Sequence, residues 1–541
     1  MLDKLSTQQR TVLAIALSLI FFIVYDYFMV PKTRPMQETN STTVATAKST
    51  HTASAAASQP AAPTSASVSA ASSQPSKTAA APVQKESFEI VATVDANEYH
   101  AQIDTLGRIV RFEVRIPRFK QEDGTYPNVI SNQNPLKPLE IRYADPKLNE
   151  EAFKTPFKPD RSELKVEEGG ATLMLTQQLS SLNVTKKITF FPNGTYKIAV
   201  DMDKDVEYYL SPGFRPDIES DAYTFKGILL READGHIKTI EDGDMEQEQH
   251  FTGVQIAAAN DKYYTTNFYD FKNGMDVYVS KDDKNDPLLF VKGLQHYTLN
   301  GYIGPKEFDK LAAIDKRMTD VIEYGFFTFI SKPLFIFLKY LHNILGNWGW
   351  AIVALTLIIR LLLYPLTYKG MVSMNKLKEL SPKIKEIQAK YKKDPQKMNA
   401  KMMELYKKHG ANPMGGCLPM LMQIPIFFAF YRVLLNTIEL KHAPWFGWIQ
   451  DLSVMDPYFV LPVLMGATMF WQQTLTPTNF TDPMQEKIMK FLPVIFTFFF
   501  ITFPAGLTLY WFTNNLFSVA QQYYVNRIFE KHKAAKEASH G

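Results

Sequence analysis

The sequence predicts a polytopic α-helical membrane protein that carries a large all-β domain outside the membrane. Three observations predict this class. Long apolar runs interrupt a chain of 541 residues that is 46% hydrophobic. Basic and acidic residues are concentrated in different segments, and one long acidic segment shows the alternating apolar pattern and frequent turn signals of β-strands.

Six apolar runs approach the roughly 20 residues that a helix needs to cross a hydrocarbon core of about 30 Å. The fourth and fifth runs are short, so we expect little tilt or a locally thinned bilayer there. No small-x-small cleavage site follows the first run, which therefore predicts an uncleaved anchor and not a signal peptide. The six runs are residues 11–30, 348–366, 418–435, 458–472, 491–503 and 507–525.

The charge distribution predicts the topology. Residues 87–320 contain 29 Lys and Arg against 39 Asp and Glu, whereas residues 367–416 contain 12 Lys, no Arg and 4 acidic residues. Short lysine-rich loops remain in the cytoplasm. We therefore expect the 367–416 loop inside, the acidic segment outside, and both chain termini in the cytoplasm.

Composition divides the N-terminal half into three predicted parts. Residues 1–30 form the membrane anchor, and residues 31–86, rich in Ala, Ser, Thr and Pro, form a flexible tether. Residues 87–320 form the β domain, which we expect to be an antiparallel sandwich. In that domain, Asn193-Gly194 lies between two alternating runs and predicts a type I′ hairpin turn.

Residues 321–343 are apolar but contain Lys332 and Lys339, which are seven positions apart and so share one helical face. This pattern predicts an amphipathic helix that lies in the membrane interface with both lysines towards the headgroups. A seventh membrane span is the alternative.

The lysine-rich loop predicts a cytoplasmic helical hairpin over residues 369–413. The helix that leaves the second span is expected to continue to Leu380, and the Ser-Pro pair at 381–382 is expected to begin a new helix. The Asp-Pro pair at 394–395 should separate it from a returning helix. The lysines favour anionic lipid or RNA-bearing partners; the alternative is a solvated pair of helices whose apolar stripes only pack on each other.

No signature of cofactor or metal chemistry is visible. The sequence contains no Gly-rich phosphate loop, no metal-spaced His/Cys cluster and no nucleophile elbow, so we expect no cofactor, no metal and no catalytic residue. The single cysteine, Cys417, excludes an intrachain disulfide and is interpreted as a small packing residue.

The second apolar run contains a charge, Arg360. It lies 12 residues after Trp348, about 18 Å along a helix at 1.5 Å per residue. A charge at this depth costs about 3 kcal/mol or more and should face protein or water. A structural ion pair is the alternative, but Asp26, the only acid in the six runs, lies near the outer end of the first. Thr356 lies one turn before Arg360.

An arginine within an apolar run, with no acidic residue at its depth, predicts a wet cavity that holds an unpaired positive charge. Arg432 is near the outer end of its run and is interpreted as structural, since it can snorkel. Such a cavity suits an acidic polypeptide segment or, as the alternative, a small anion carried by a secondary transporter, although no internal repeat is visible. A membrane-anchored, sugar-modifying enzyme is a third hypothesis. The neutral polar candidates for the cavity are Gln423, Thr468, Gln472, Asn514 and Asn515.

Several long blocks resemble the YidC/Oxa/Alb family of membrane protein insertases. They include "WGWAIVALTLIIRLLLYPLTYKGMVSMNKLKELSPKIKEIQ", "NPMGGCLPMLMQIPIFFAFYRVLLN" and "FPAGLTLYWFTNNLFSVAQQ", and the similarity spans about residues 347–527. The resemblance implies an insertase core of five transmembrane helices over residues 344–526, with a hydrophilic groove open to cytoplasm and lipid. Residues 527–541 would form a short basic cytoplasmic tail. The outer domain resembles the periplasmic supersandwich of the Gram-negative members.

The resemblance also implies a function and partners. The protein would insert, fold and assemble nascent inner-membrane proteins, alone or with the Sec translocon, in the bacterial inner membrane. The ribosome and the signal recognition pathway would act through the hairpin, anionic phospholipids would bind, and nucleic acid would not be recognised directly. The positions that match groove residues of the family are Thr356, Arg360, Gln423, Phe427, Met465, Phe499, Tyr510 and Trp511.

Overall fold

The computed structural model describes a β-rich part followed by a helical part. The predicted anchor, the tether and Cys417 lie outside the described residues. The description covers residues 88–538 apart from residues 122, 220–223, 393, 411–417 and 477–482.

The β-rich part contains eighteen described strands in three sheets. The strands are β1 (Ile90–Asp95), β2 (Tyr99–Asp104), β3 (Ile109–Val114), β4 (Ile141–Tyr143), β5 (Lys158–Pro159), β6 (Glu163–Lys165), β7 (Ala171–Gln178), β8 (Asn183–Phe190), β9 (Thr195–Met202), β10 (Tyr208–Leu210), β11 (Gly227–Arg231), β12 (Ile237–Glu241), β13 (Gln249–Val254), β14 (Ile256–Asn260), β15 (Tyr264–Tyr269), β16 (Met275–Lys281), β17 (Pro287–Lys292) and β18 (His296–Pro305).

The sheets are almost entirely antiparallel, as the sequence predicts. The largest has the order β12-β11-β14-β15-β18-β9-β8-β7-β5, the second β13-β16-β17-β10-β4, and the third β3-β2-β1-β6. Among the described pairs, only β1 and β6 run parallel. Alternation with period two places one face of each long strand on the core: Leu173 and Leu175 of β7 are buried, whereas Met174 between them is exposed.

The hairpin predicted at Asn193-Gly194 is present, but the predicted type I′ turn is wrong. β8 and β9 pair in antiparallel register. The Gly194 N–H donates to the Phe191 carbonyl at 3.3 Å, and the Phe191 N–H donates to Thr195 at 3.0 Å. Gly194 has φ +83°, but Asn193 is not among the described residues with positive φ, which a type I′ turn requires. Pro192 fixes the second turn position at φ near −65°, which favours a type I turn followed by a left-handed glycine.

The helical part follows the last strand, and one helix lies within the β-rich part. Their bounds are α1 (Pro146–Lys154), α2 (Phe308–Ile314), α3 (Thr328–Leu345), α4 (Trp348–Leu362), α5 (Tyr364–Lys390), α6 (Pro395–Lys408), α7 (Leu418–Asn436), α8 (Val460–Leu475), α9 (Pro483–Phe500) and α10 (Ala505–Ala538).

The helix that leaves the second apolar run is not continuous, contrary to the prediction. It breaks at Leu363, where α4 and α5 meet at 64°. Pro365 lies in the first turn of α5 and has no N–H to donate to α4. The predicted helix start at 381–382 is also wrong, because Pro382 lies inside α5. Burial of Leu380 and Ile384 on either side of it offsets the proline's cost.

The hairpin of α5 and α6 has an apolar cluster of its own. Leu380 and Ile384 are buried there against Met402, Leu405 and Tyr406. The Asp-Pro break is confirmed, since Asp394 Oδ1 accepts the Lys397 N–H at 3.1 Å and caps α6.

The length and hydropathy of the described helices bear on whether each can cross a membrane. No helix taken alone is both long and apolar enough to cross a membrane, whereas the bent pair α4 and α5 meets the criterion together.

A second apolar cluster joins the β-rich part to the helical part. It contains Leu229 and Tyr302 from the strands together with Phe335 of α3 and Leu434 of α7. The two parts are therefore packed as one body across this contact.

The α3 lysines that were expected to face headgroups are paired with carboxylates that precede the helix. Lys332 Nζ lies 2.8 Å from Asp320 Oδ1, and Lys339 pairs with Asp309. These ion pairs tie α3 to the segment that connects it with the strands.

A buried carboxylate lies where the two parts meet. Glu439, in a short 3₁₀ turn after α7, accepts the Phe308 N–H of α2 at 2.8 Å. Its second oxygen is buried and has no hydrogen-bond partner among the described residues. Burial raises the pKa of Glu439 to about 7, and the hydrogen bond from Phe308 opposes this shift.

We predict that Gly194→Ala destabilises the β-rich part by about 2 kcal/mol, because a side chain is strained at positive φ and its Cβ would lie 2.6 Å from the Ile303 carbonyl oxygen. Gly169→Ala is the matched control, since no atom lies within 4 Å of its Cβ position. Thermal unfolding of the full chain in detergent measures both. Equal melting temperatures for the two variants would contradict the turn described here.

The buried position of Glu439 predicts a pH-dependent stability. Between pH 4.5, the ordinary pKa of this group, and about pH 7, the folded chain keeps a proton that the unfolded chain releases. The contribution of Glu439 to stability therefore falls as pH rises through this window. Glu439→Gln should raise the melting temperature relative to the parent chain more at pH 8 than at pH 5, whereas exposed Glu248→Gln should not. The same increment at both pH values would contradict this account.

Candidate functional site

A cavity lined by polar and apolar side chains lies at the bend between α4 and α5. About 340 Å³ of space between the lining residues is not filled by protein atoms, a figure that includes open solvent at the mouth. Four helices contribute side chains, and none of the lining residues is acidic. The lining residues are Thr356, Ile359, Arg360, Leu363, Thr367, Gln423, Ile426, Tyr510 and Asn514.

The centre of the cavity is a hydrogen-bonded group of one charged and three neutral side chains. The Arg360 Nε–H donates to Asn514 Oδ1 at 2.7 Å. The Gln423 side-chain N–H donates to the same oxygen at 2.9 Å, and the Tyr510 hydroxyl is in hydrogen-bonding contact with Gln423. Because Asn514 Oδ1 accepts two donors, the amide orientation is fixed with its negative end towards the guanidinium.

The Arg360 guanidinium is buried, but only part of its hydrogen-bonding capacity has a partner among the described residues. Arg360 is 8% exposed, and within the described residues its two terminal nitrogens have no hydrogen-bond partner. An arginine remains protonated in proteins. The terminal N–H groups form the planar fork that binds a carboxylate at two points, so the site can accept an acidic group.

The backbone at the bend explains why these residues meet. Arg360 lies in the last turn of α4, three residues before the break at Leu363, and Thr367 follows in the first turns of α5. The Thr356 hydroxyl donates to the Ile352 carbonyl of its own helix at 2.7 Å and therefore does not compete for Asn514.

An aromatic wall lies next to the cavity. Phe427 of α7 packs edge-on against Trp511 with ring centroids 4.6 Å apart, and its ring centroid lies 6.4 Å from that of Tyr510. The ring centroid of Phe500 lies 5.0 Å from that of Trp511. Such contacts fix the positions of the rings.

The two remaining groove candidates lie elsewhere. Met465 is 0% exposed in the apolar cluster, and its backbone carbonyl lies 3.5 Å from the Asn515 amide. Phe499 is 52% exposed on α9, and its ring centroid lies 4.9 Å from that of Phe503. The structure thus brings together Thr356, Arg360, Gln423 and Tyr510 in the cavity, with Phe427 and Trp511 beside it.

Of the five neutral polar candidates for the cavity, two line it and three do not. Gln423 and Asn514 line the cavity, whereas Asn515, Thr468 and Gln472 are not among its lining residues. The Thr468 hydroxyl donates within its own helix, to the Met465 carbonyl at 2.8 Å.

Sequence reasoning missed Thr367 and a polar stripe on α10. Beyond Asn514, the stripe continues with Ser518, Gln522 and Asn526, each four residues after the last, so that they share one helical face. Gln522 is buried, and Asn526 binds α5 and α8 through side-chain hydrogen bonds. The four-residue period is the signal that could have revealed them.

Arg432 provides a contrast with Arg360. It is equally buried, at 6% exposed, but its NH1 lies 3.6 Å from Glu323 Oε2. Arg432 is therefore an arginine with a fixed acidic partner, in agreement with its structural interpretation.

Two family descriptions match consecutive segments of the chain. The YidC periplasmic domain matches residues 91–337, and the 60Kd inner membrane protein family matches residues 340–533. The first segment covers the β-rich part and the first half of α3 (Thr328–Leu345), and the second covers the end of α3 and the helices that follow it.

Relatives match almost the whole chain. Proteins named membrane protein insertase YidC are 51% identical in Campylobacter jejuni, over 98% of this chain and 98% of the relative, and 50% identical in Wolinella succinogenes, over 99% and 98%. A relative of the same name in Helicobacter pylori is 43% identical over 98% of both chains. These names support the insertase hypothesis, and none supports the anion transporter. The chain therefore belongs to the YidC family of membrane protein insertases, as a bacterial inner-membrane protein with a periplasmic β-rich domain.

Proposed function

We propose that this chain inserts nascent inner-membrane proteins by receiving their polar or acidic segments in the Arg360 cavity. The observation that carries the proposal is that a buried, permanently charged guanidinium is held by a neutral amide and keeps its terminal nitrogens unpartnered within the described residues. An acidic client segment supplies the missing counter-ion transiently.

The energetics favour a transient contact. The Asn514 and Gln423 amides lower the cost of holding the charge without neutralising it, so an arriving carboxylate still gains a charge-assisted pair. A membrane potential that is negative inside then favours outward movement of each acidic residue by about 2.3 kcal/mol per 100 mV. Burial of the client's own apolar helix in lipid drives the rest of the reaction.

The aromatic wall and the α9 surface complete the proposed groove. Tyr510, Phe427 and Trp511 would contact the apolar side of the client segment next to the charge. Phe499 is exposed and would contact the client or lipid, while buried Met465 would support α8 from behind.

The membrane arrangement that suits this role has six spans, with a five-helix core over residues 344–526. Both termini and the 369–413 hairpin would be cytoplasmic, and the β-rich part would lie in the periplasm. The amphipathic segment 321–343 would lie at the membrane surface. The lysines of the hairpin would contact anionic phospholipids and the ribosome, the signal recognition pathway would deliver clients there, and the Sec translocon would act as a partner for larger clients.

We predict that Arg360→Ala lowers the insertion rate of a single-span client with a short acidic tail by about tenfold, the effect of losing one charge-assisted contact. Arg360→Lys should be milder because the charge remains but the planar fork is lost. The measurement is protease protection of the client in liposomes reconstituted with the full chain.

Arg432→Lys is the matched control, because it makes the same change at an equally buried arginine that is paired with Glu323. It should insert the client as the parent chain does. Parent-like insertion by Arg360→Ala and Arg360→Lys for every client tested would contradict the proposed role of the charge.

A fixed counter-ion should inactivate the cavity. Asn514→Asp changes one atom of the side chain and places a carboxylate where Oδ1 already accepts from Arg360 at 2.7 Å. The variant should fold, since it forms a buried ion pair, but should insert the acidic-tail client about tenfold more slowly because the client's carboxylate must displace it. Unchanged insertion in the same protease-protection assay would show that an unpaired charge is not required.

A further inference from the structure

The α5–α6 hairpin has an apolar cluster that is separate from the one shared by the rest of the helical part. The β-rich part and the helical bundle share one apolar cluster, and no described residue of α5 or α6 belongs to it. The hairpin packs its apolar side chains on its own cluster around Leu380 and Ile384. The apolar cluster of the hairpin is therefore separate from that of the bundle.

Outside the hairpin's own cluster, the buried residues of α5 are small or polar. Besides the two residues of its own cluster, the buried residues of α5 are Thr367, Gly370 and Asn375. Asn375 donates to Asn526 Oδ1 at 2.9 Å. Farther along the same pair of helices, Glu379 lies 3.3 Å from Lys533.

Asn526 is the centre of this contact. Its Oδ1 also accepts the Gln522 side-chain N–H at 2.8 Å, and its own amide N–H donates to the Leu475 carbonyl at the last residue of α8, at 3.2 Å. One side chain thus joins α5, α8 and α10. Amide hydrogen bonds of this kind exchange for water or for a polar segment at little net cost.

The opposite end of α5 is a bend. The helix begins after Leu363 at 64° to α4, and Leu363 and Thr367 line the Arg360 cavity. A displacement of α5 about this bend would move Thr367, which lines the cavity, and would not disturb the apolar cluster of the bundle, to which α5 contributes no described residue.

We infer that Asn526 is a positioning residue that latches the α5–α6 hairpin against the bundle, and that release of this latch admits the polar client segment to the cavity. The inference rests on the proposed function of the Arg360 cavity. It assigns to the hairpin the role of a gate, with Leu363 as its hinge and the Asn375–Asn526 and Glu379–Lys533 contacts as its closure.

The test locks the gate covalently. In a full chain with Cys417→Ser, Glu379→Cys and Lys533→Cys are bridged by a short bismaleimide after reconstitution into liposomes. The bridged protein should insert the acidic-tail client no better than protein-free liposomes, because α5 stays closed on α10. Insertion at the rate of the controls would overturn the inference.

Two controls isolate the bridge. The same cysteine pair is modified with N-ethylmaleimide, which cannot bridge. A second chain carries Gln388→Cys and Met402→Cys, whose native side chains lie 4.0 Å apart within the hairpin, and is bridged with the same reagent. Both controls should insert the client as the unmodified chain does.

The role of Asn526 is measured by the bridging rate at 379 and 533. Asn526→Leu removes all three hydrogen bonds and should slow bridging by about tenfold. Asn526→Asp keeps both acceptor contacts and loses the donation to Leu475, so it should slow bridging less. Equal bridging rates in the three chains would overturn the assignment of Asn526.

The experiments distinguish a failure of the proposed gate from a failure of the proposed role of Arg360. Arg360→Ala, assayed in the same liposomes, tests the cavity without touching the latch. If Arg360→Ala inserts normally while the bridged chain does not, the gate stands and the role of the charge fails. If the bridged chain inserts normally while Arg360→Ala does not, the cavity stands and the gate fails.

Discussion

One constraint organises the helical part of this molecule: a permanent positive charge must be held away from bulk water without being neutralised. The guanidinium of Arg360 meets this constraint through a neutral partner, Asn514, whose oxygen also accepts from Gln423. Three helices must converge to place these side chains, and the bend at Leu363 leaves space beside them. A carboxylate in place of Asn514 would stabilise the charge more strongly, but it would compete for the N–H groups that we propose a client binds.

The packing of the molecule separates a rigid body from a movable one. The β-rich part and the bundle share an apolar cluster that includes Tyr302 and Leu434, and Glu439 adds a buried hydrogen bond at their junction. The hairpin has its own cluster, and its described polar contacts with the bundle include the Asn375–Asn526 hydrogen bond and the partly exposed Glu379–Lys533 ion pair. Because interiors resist deformation whereas exchangeable polar contacts do not, we expect motion to be concentrated next to the cavity, which is the place of client entry in the proposed function.

Much of the fold and part of the candidate site could be predicted from the sequence, because the patterns that indicate them lie within short segments of the chain. Alternating strands, the hairpin at Asn193-Gly194 and the apolar helices follow from periodicity, and Arg360 attracts notice because a charge in an apolar run is costly. The turn type was missed because Pro192 outweighed the Asn-Gly signal, and the helix through Pro382 was missed because tertiary burial of its neighbours outweighed the proline. The choice of Asn514 over Asn515 as the Arg360 partner depends on helix rotation, which sequence spacing alone does not fix.

The central claim is an energetic coupling between Arg360 and an acidic residue of the client. The most direct measurement is a double-mutant cycle, in which clients with a tail Glu or an isosteric Gln are inserted by the parent chain and by Arg360→Ala. The account predicts that Glu→Gln slows insertion by the parent chain and has no further effect in Arg360→Ala. Equal slowing by Glu→Gln in both chains would show that the charge and the client do not interact, and would contradict the account.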